Sequence, residues 1–289
     1  LQRAGWAGSE LRPDSGGRVW LHPLAVDPQG SASYQVVVRR EGQQAQGVLT
    51  RGQKSTVDIV IDAQAPQPKA RLDLVFLVDA TGSMDDEIAK LRASLRSIAD
   101  QLARLPSQPD LCFGLVAYRD QDDAFLLRRH NLSNNLSGFQ AALNALQADG
   151  GGDYPEAMNE ALHDTVHQID WRGDGTTRLV VLLADAPPHL NAGGPQYDQD
   201  MLAALGKGIK VFSVGASGLN KQGEYVQRQI AQYTGGRFVF LTYQDAANPG
   251  RGPGRETVHD VRNYSVQTLD KLIVRLVSEE LEKLPQNQE

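Results

Sequence analysis

The sequence predicts an α/β protein: a doubly wound, mostly parallel sheet flanked by helices, preceded by a small antiparallel β module. Three observations carry this. Leu72 to Val78 and Leu179 to Ala184 are almost wholly apolar, as strands are when helices cover both faces of a parallel sheet. Strand-like segments alternate with segments whose apolar residues recur at steps of three and four. A short stretch with two prolines, Pro66 and Pro68, separates this region from one with period-two alternation.

The elements follow in chain order. Residues 1–62 read as the β module. Val19 to Leu21 is short and extended, and Tyr34 to Val38 and Val57 to Ile61 each place apolar residues on one face. Gly16-Gly17, Asp27 to Gly30 and Glu41 to Gln44 supply turns. Residues 63–70 form a semi-extended linker, 71–285 the α/β domain and 286–289 a tail. Within the domain, Leu111 to Tyr118, Ala124 to Leu127, Lys210 to Val214 and Arg237 to Leu241 read as further strands. Met84 to Leu105, Phe139 to Leu146, Pro155 to Trp171, Tyr197 to Leu205, Lys221 to Tyr233 and Val266 to Leu284 read as helices.

Composition narrows the function. The 289 residues include 29 basic and 35 acidic side chains, a net charge of −6. That balance lacks the basic excess of a nucleic-acid binder. One cysteine, Cys112, excludes an intrachain disulfide framework, and its apolar run predicts a buried small hydrophobe. No apolar stretch is long enough for a transmembrane helix. The chain starts at Leu1, which reads as a processed or partial product whose signal peptide or anchor lies outside it.

In doubly wound sheets, ligands bind beyond the carboxyl ends of the strands where the strand order reverses. Three loops are predicted at that edge. Asp79-Ala80-Thr81-Gly82-Ser83-Met84 follows the first apolar strand, and Asp185-Ala186-Pro187-Pro188-His189 follows the second. Between them lies Gly150-Gly151-Gly152-Asp153-Tyr154-Pro155-Glu156. Carboxylates and hydroxyls without sulfur or imidazole suit a hard divalent cation. A simpler role competes locally, since Ser83 with Asp86 resembles a helix capping box.

This set resembles the von Willebrand factor A domain and its metal-ion-dependent adhesion site, in a bacterial branch. The family pattern is Asp-x-Ser-x-Ser, a distant Thr, then an Asp. Asp79, Thr81 and Ser83 match the first part, with Thr in place of the first Ser, and Asp185 matches the last. The distant Thr falls at Asp153. The resemblance implies a six-stranded, Rossmann-like sheet with one Mg²⁺ (or Ca²⁺ or Mn²⁺) at its top. Asp79, Thr81, Ser83, Asp153 and Asp185 would hold the ion. It also implies a protein partner, whose acidic residue completes the coordination, and no intrinsic catalysis. Tyr154, Glu156, Pro188 and His189 are expected at the rim a partner touches. Three aspartates around one dication leave a negative charge in excess, so the ion should be held more firmly and attract an acidic partner less.

The reading is therefore a metal-dependent interaction module at a bacterial periplasm or cell surface. Alternatives are a metal-assisted hydrolase using the same ion, or a cytoplasmic accessory subunit of an ATPase or chelatase complex. Other motifs are weaker. His163-Asp164-Thr165-Val166-His167 is one residue from a zincin motif, but the histidines flank a core stripe and read as half-exposed helix residues. Gly47 to Ser55 departs from a P-loop through Gln53. Arg172-Gly173-Asp174 reads as a turn, and Asp120, Asp122 and Asp123 as a solvated loop bordering the ion site.

Overall fold

The computed structural model describes residues 10–22, 27, 30–40, 42–53, 56–61, 69–152, 154–190, 193–216, 218–240 and 269–284. The expected linker at 63–70 is described only at residues 69–70. Asp153 and the tail at 286–289 lie outside the described residues.

The first strands, β1 (Ser33–Arg40) and β2 (Gln43–Thr50), form an antiparallel hairpin. The turn falls where the sequence places it, but β2 is unforeseen because its residues are mostly polar or small. Tyr34, Val36 and Val38 pair with Leu49, Gly47 and Ala45. Val57 and Ile59 pack over Gly47, the gap in that face. Among the described residues, neither Val57 to Ile61 nor Val19 to Leu21 joins a ladder, contrary to expectation.

The α/β domain is a six-stranded sheet. Its strands are β3 (Arg71–Asp79), β4 (Asp110–Tyr118), β5 (Leu127–Ser133), β6 (Thr176–Ala184), β7 (Ile209–Gly215) and β8 (Phe238–Phe240), in the order β5-β4-β3-β6-β7-β8. All neighbours are parallel except β4 and β5. The polar strand β5 lies later than the expected Ala124 to Leu127, because the turn after β4 uses residues 121–124. Its pairing with β4 ends at Phe113–Ser133. Cys112, expected as buried, is therefore left only half covered.

Among the described residues, six α-helices cover the sheet: α1 (Asp85–Ala103), α2 (Leu136–Ala145), α3 (Met158–His167), α4 (Tyr197–Gly206), α5 (Lys221–Tyr233) and α6 (Leu269–Leu281). Leu72, Leu74, Phe76 and Val78 of β3 face one layer, with Ile88, Leu91, Leu95, Ile98 and Leu102 of α1 and the apolar stripe of α6. Val75 and Leu77 face the other, with Met158, Leu162 and Val166 of α3 and Val226 and Ile230 of α5. Each fully buried side chain of this kind contributes about 1.5–3 kcal/mol. Arg172 is spent on the fold: its backbone N–H and guanidinium both donate to buried Asp73 of β3. The turn itself falls at Asp174-Gly175, one residue beyond the expected Gly173-Asp174.

Residues 10–22, read from sequence as part of the β module, pack instead on the α/β layers. Arg12 N–H donates to Gly206 O at 2.9 Å, and the His22 ring stacks on Tyr233 at 3.8 Å. At the start of β7, buried Lys210 Nζ bonds Glu280 Oε1 at 2.5 Å and Asp14 Oδ2 at 3.1 Å. Ser15 Oγ and Lys283 Nζ also donate to Glu280. Burial pushes the Glu280 carboxyl up, but these donors outweigh it and hold it below its ordinary value of 4.5.

This cluster makes a testable statement. A depressed native value stabilises the fold above the unfolded value, and that stability is lost as pH falls through the native one. Glu280→Gln should therefore cost most at pH 7 in urea melts, and the gap to wild type should narrow below about pH 4. Lys210→Met should cost about 3 kcal/mol at pH 7, the usual penalty for breaking a buried pair.

Candidate metal centre

β3 and β6 are adjacent and parallel, with Val78 opposite Leu183. Their ends therefore deliver Asp79 and Asp185 side by side, at the point where the chain turns to opposite sides of β3. Asp79 is fully buried and Asp185 is 5% exposed.

After β3 the chain makes a single 3-10 turn, Gly82–Met84, before α1. Thr81 folds back on the strand end: its backbone N–H and hydroxyl donate to Asp79 Oδ1 at 3.0 and 2.7 Å. Ser83 Oγ lies 3.4 Å from Thr81 Oγ1, and its hydroxyl favours the charged form of Asp185. Ser83 is not the cap that the capping-box reading expects. Met84 occupies that position with no side-chain hydrogen bond, because the 3-10 turn inserts before the helix.

The carboxylates are poorly satisfied. Asp79 Oδ2 is buried without a hydrogen bond, and the hydroxyl of fully buried Tyr118, although close to Asp79, makes none of normal geometry. Burial pushes the Asp79 carboxyl up to about 7; the charge of Asp185 adds to this, and the Thr81 hydrogen bonds oppose it. Burial also raises Asp185, against the Ser83 hydroxyl. Burial, then Asp79, Asp185 and Glu156, push the Tyr118 hydroxyl well above its ordinary range. The site thus concentrates acidic oxygen.

The third loop closes over it. Gly150 and Gly151 have φ near +80°. A Cβ on Gly151 would fall 2.9 Å from Glu156 Oε1 and 3.0 Å from Thr81 Cβ, and one on Gly150 would collide with the Asp123 carboxylate. Only glycine allows this approach.

Of the expected ligands, the structure brings together Asp79, Thr81, Ser83 and Asp185; the fifth, Asp153, is not described. The expected rim divides. Tyr154 is 43% exposed, and His189 is half-buried with Nε2 at 2.8 Å from Asp120 Oδ1. Glu156 and Pro188 are buried, because a bridge joins their backbones and Glu156 N–H donates to Pro187 O. They support the loop and do not present a surface.

Other supports lie beyond the sequence reading. Arg119 donates to Ala80 O and Gln147 O, tying the first loop to the third. Asp123 Oδ2 accepts the N–H groups of Asp120 and Gly151. The Tyr154 hydroxyl donates to Gly218 O and accepts from Asn220 N–H. The available signal was positional: β4 is parallel to β3, so Tyr118, Arg119 and Asp120 emerge at the same edge.

The donors fit a hard divalent cation. They are all oxygen, two are carboxylates, and one buried carboxylate oxygen has no partner.

Comparison with known proteins agrees with this fold. Residues 73–186 match the family model described as von Willebrand factor A domain. The chain is similar to the alpha-protein kinase vwkA of Dictyostelium discoideum, 31% identical over 146 residues, covering 47% of this chain and 22% of that protein. It is also similar to a putative ariadne-like RING finger protein of Acanthamoeba polyphaga mimivirus, 29% identical over 121 residues, covering 42% of this chain and 12% of that protein. The chain thus spans under a quarter of either relative. Among solved structures, the pilus adhesin SpaC from Lactobacillus rhamnosus GG in its open conformation shares the fold: TM-score 0.50, 12% identity, 89% of this chain and 35% of that one. Residues 73–186, which run from β3 through the intervening strands and helices to the loop after β6, are the part of this chain that is similar to a von Willebrand factor A domain.

Proposed function

We propose that this protein is a metal-dependent interaction module. In this reading one Mg²⁺, or Ca²⁺ or Mn²⁺, is held by Asp79, Thr81, Ser83, Asp153 and Asp185, directly or through water. It engages a protein partner through that partner's carboxylate. One observation carries the reading. The Thr81 and Ser83 hydroxyls turn toward Asp79 and Asp185 instead of capping α1, around a buried carboxylate oxygen with no hydrogen bond. A dication would offset the cost of burying these charges, which the Thr81 and Ser83 hydroxyls offset only in part. Exposed Tyr154 and half-buried His189 would flank the partner. The exported, envelope-surface location belongs to the same proposal, and the ion's role is binding, not catalysis.

The ion is tested by thermal melting. At about 100 times its dissociation constant, Mg²⁺ or Mn²⁺ should add about 2.7 kcal/mol, or about 5 °C or more. The shift should vanish in Asp79→Asn. No shift in wild type with any of the three ions would overturn the proposal, as would hydrolysis of a substrate panel that is lost in Asp79→Asn.

Without metal, pH carries the opposite sign to the Glu280 cluster. A native value raised from 3.8 to about 7 means that the folded protein holds the Asp79 proton longer than the unfolded chain. Stability from this group falls as pH rises between those values. Asp79→Asn should remove that fall in chelator-treated protein, and its melting temperature at pH 8 should exceed that of wild type.

Asp153→Thr tests the charge argument. It should weaken metal binding by about tenfold or more, because affinity at oxygen sites follows ligand charge. It should also tighten capture of an acidic peptide partner. Unchanged affinities for both would refute the role of Asp153.

A further inference from the structure

A second constellation lies on the other layer of the domain, with different donor chemistry. His163 and His167 are one turn apart on α3, so their rings share a face. The centroids are 4.4 Å apart. Both rings point at one atom: His163 Nδ1 and His167 Nε2 each lie 3.0 Å from Oδ1 of Asp200 in the first turn of α4. Asp200 is 3% exposed, and its other oxygen, Oδ2, is buried with no hydrogen bond. The side chains of His163 and His167 are 44% and 30% exposed, so the cluster opens to solvent on the imidazole side. Lys207, close enough to feel the charge of Asp200, donates instead to Val166 O.

This is more than a pair of hydrogen bonds. Three ligand atoms, one from each side chain, lie within 4.8 Å of one another. A tetrahedral zinc site with bonds of about 2.0–2.1 Å has ligand–ligand edges of about 3.3 Å. The two 3.0 Å nitrogen–oxygen distances are close to such edges. Small rotations about the side-chain bonds would open the cluster around an ion. Two imidazoles with a carboxylate select zinc and its neighbours over magnesium or calcium.

We propose that His163, His167 and Asp200 bind a Zn²⁺-class ion, with a fourth position open to water, and that the ion staples α3 to α4. Binding needs both facing nitrogens unprotonated. In the neutral rings, the proton moves through solvent from Nδ1 to Nε2 in His163 and from Nε2 to Nδ1 in His167. Asp200 then contributes one negative charge, and its second oxygen is available as a further contact. The site is independent of the oxygen-lined centre, whose donors include no imidazole.

Cobalt reports the site directly. The full chain is saturated with Mg²⁺ to fill the oxygen-lined centre, then titrated with Co²⁺ and followed by visible absorbance. About one equivalent should produce a d–d band that Zn²⁺ abolishes. His163→Gln, His167→Gln and Asp200→Asn should each weaken Co²⁺ binding by about tenfold or more, while the Mg²⁺-dependent melting shift stays at its wild-type size. His163 is half-exposed, so its variant tests the site without threatening the fold. No band in wild type, or a band that survives in the His163→Gln/His167→Gln double variant, would overturn the proposal. Loss of the Mg²⁺ shift in wild type, with the cobalt band intact, would count against the oxygen-lined centre alone.

Discussion

The parallel register of β3 with β6 governs the molecule. It places Asp79 and Asp185 at neighbouring strand ends, where the chain leaves in opposite directions. Parallel strands also point their carbonyl ends the same way, so β4 delivers Tyr118 and Arg119 to the same edge. Two buried carboxylates at one sheet edge are a destabilising arrangement: burial raises both values, and the charge of Asp185 adds to the rise at Asp79. The surrounding loops are built to hold that arrangement, not to relieve it.

Arg119 shows how. It is the buried cation closest in sequence to the strand ends, and it does not pair with Asp79 or Asp185. Its guanidinium donates to backbone carbonyls of two loops, with only a long contact to exposed Asp149. Asp123 and Tyr154 likewise spend their polar atoms on loop backbone. Rigid loops around unsatisfied oxygen are what a metal-binding site requires, since the ion then finds its donors already in place. The cost is carried by the two sheet layers, where β3 and β6 are buried almost throughout.

The sequence made the sheet legible because two physical signals coincide there. Fully apolar strands and helices with steps of three and four leave few alternatives, and α1 shows its stripe without a break from Ile88 to Leu102. Legibility failed where neighbours, not local pattern, set the structure. β2 and β5 are polar and exist because a partner strand offers a ladder. Val57 to Ile61 has the right alternation but joins no ladder among the described residues. α3 begins at Met158, not Pro155, because the Glu156–Pro188 bridge claims the residues before it. Among the site residues, Asp79, Thr81, Ser83 and Asp185 were visible as strand-end motifs. The burial of Glu156 and Pro188 was not, since it depends on how two loops meet.

α3 joins these themes. Asn159, His163 and His167 recur every four residues beside the Leu162 and Val166 core stripe. Asn159 donates to His189 O, in the loop that follows Asp185, and accepts from Tyr197 N–H at the start of α4. His163 and His167 continue the same line onto Asp200. One polar stripe along one helix therefore runs from the β6 loop of the oxygen-lined centre to the imidazole cluster. Its apolar neighbours fix the rotation of α3 about its axis, so the stripe cannot turn away from α4 without unpacking Leu162 and Val166. The half-exposure of the histidines thus reflects their position at the seam between α3 and α4, where a helix residue can remain reachable by solvent and still be held in place by the core.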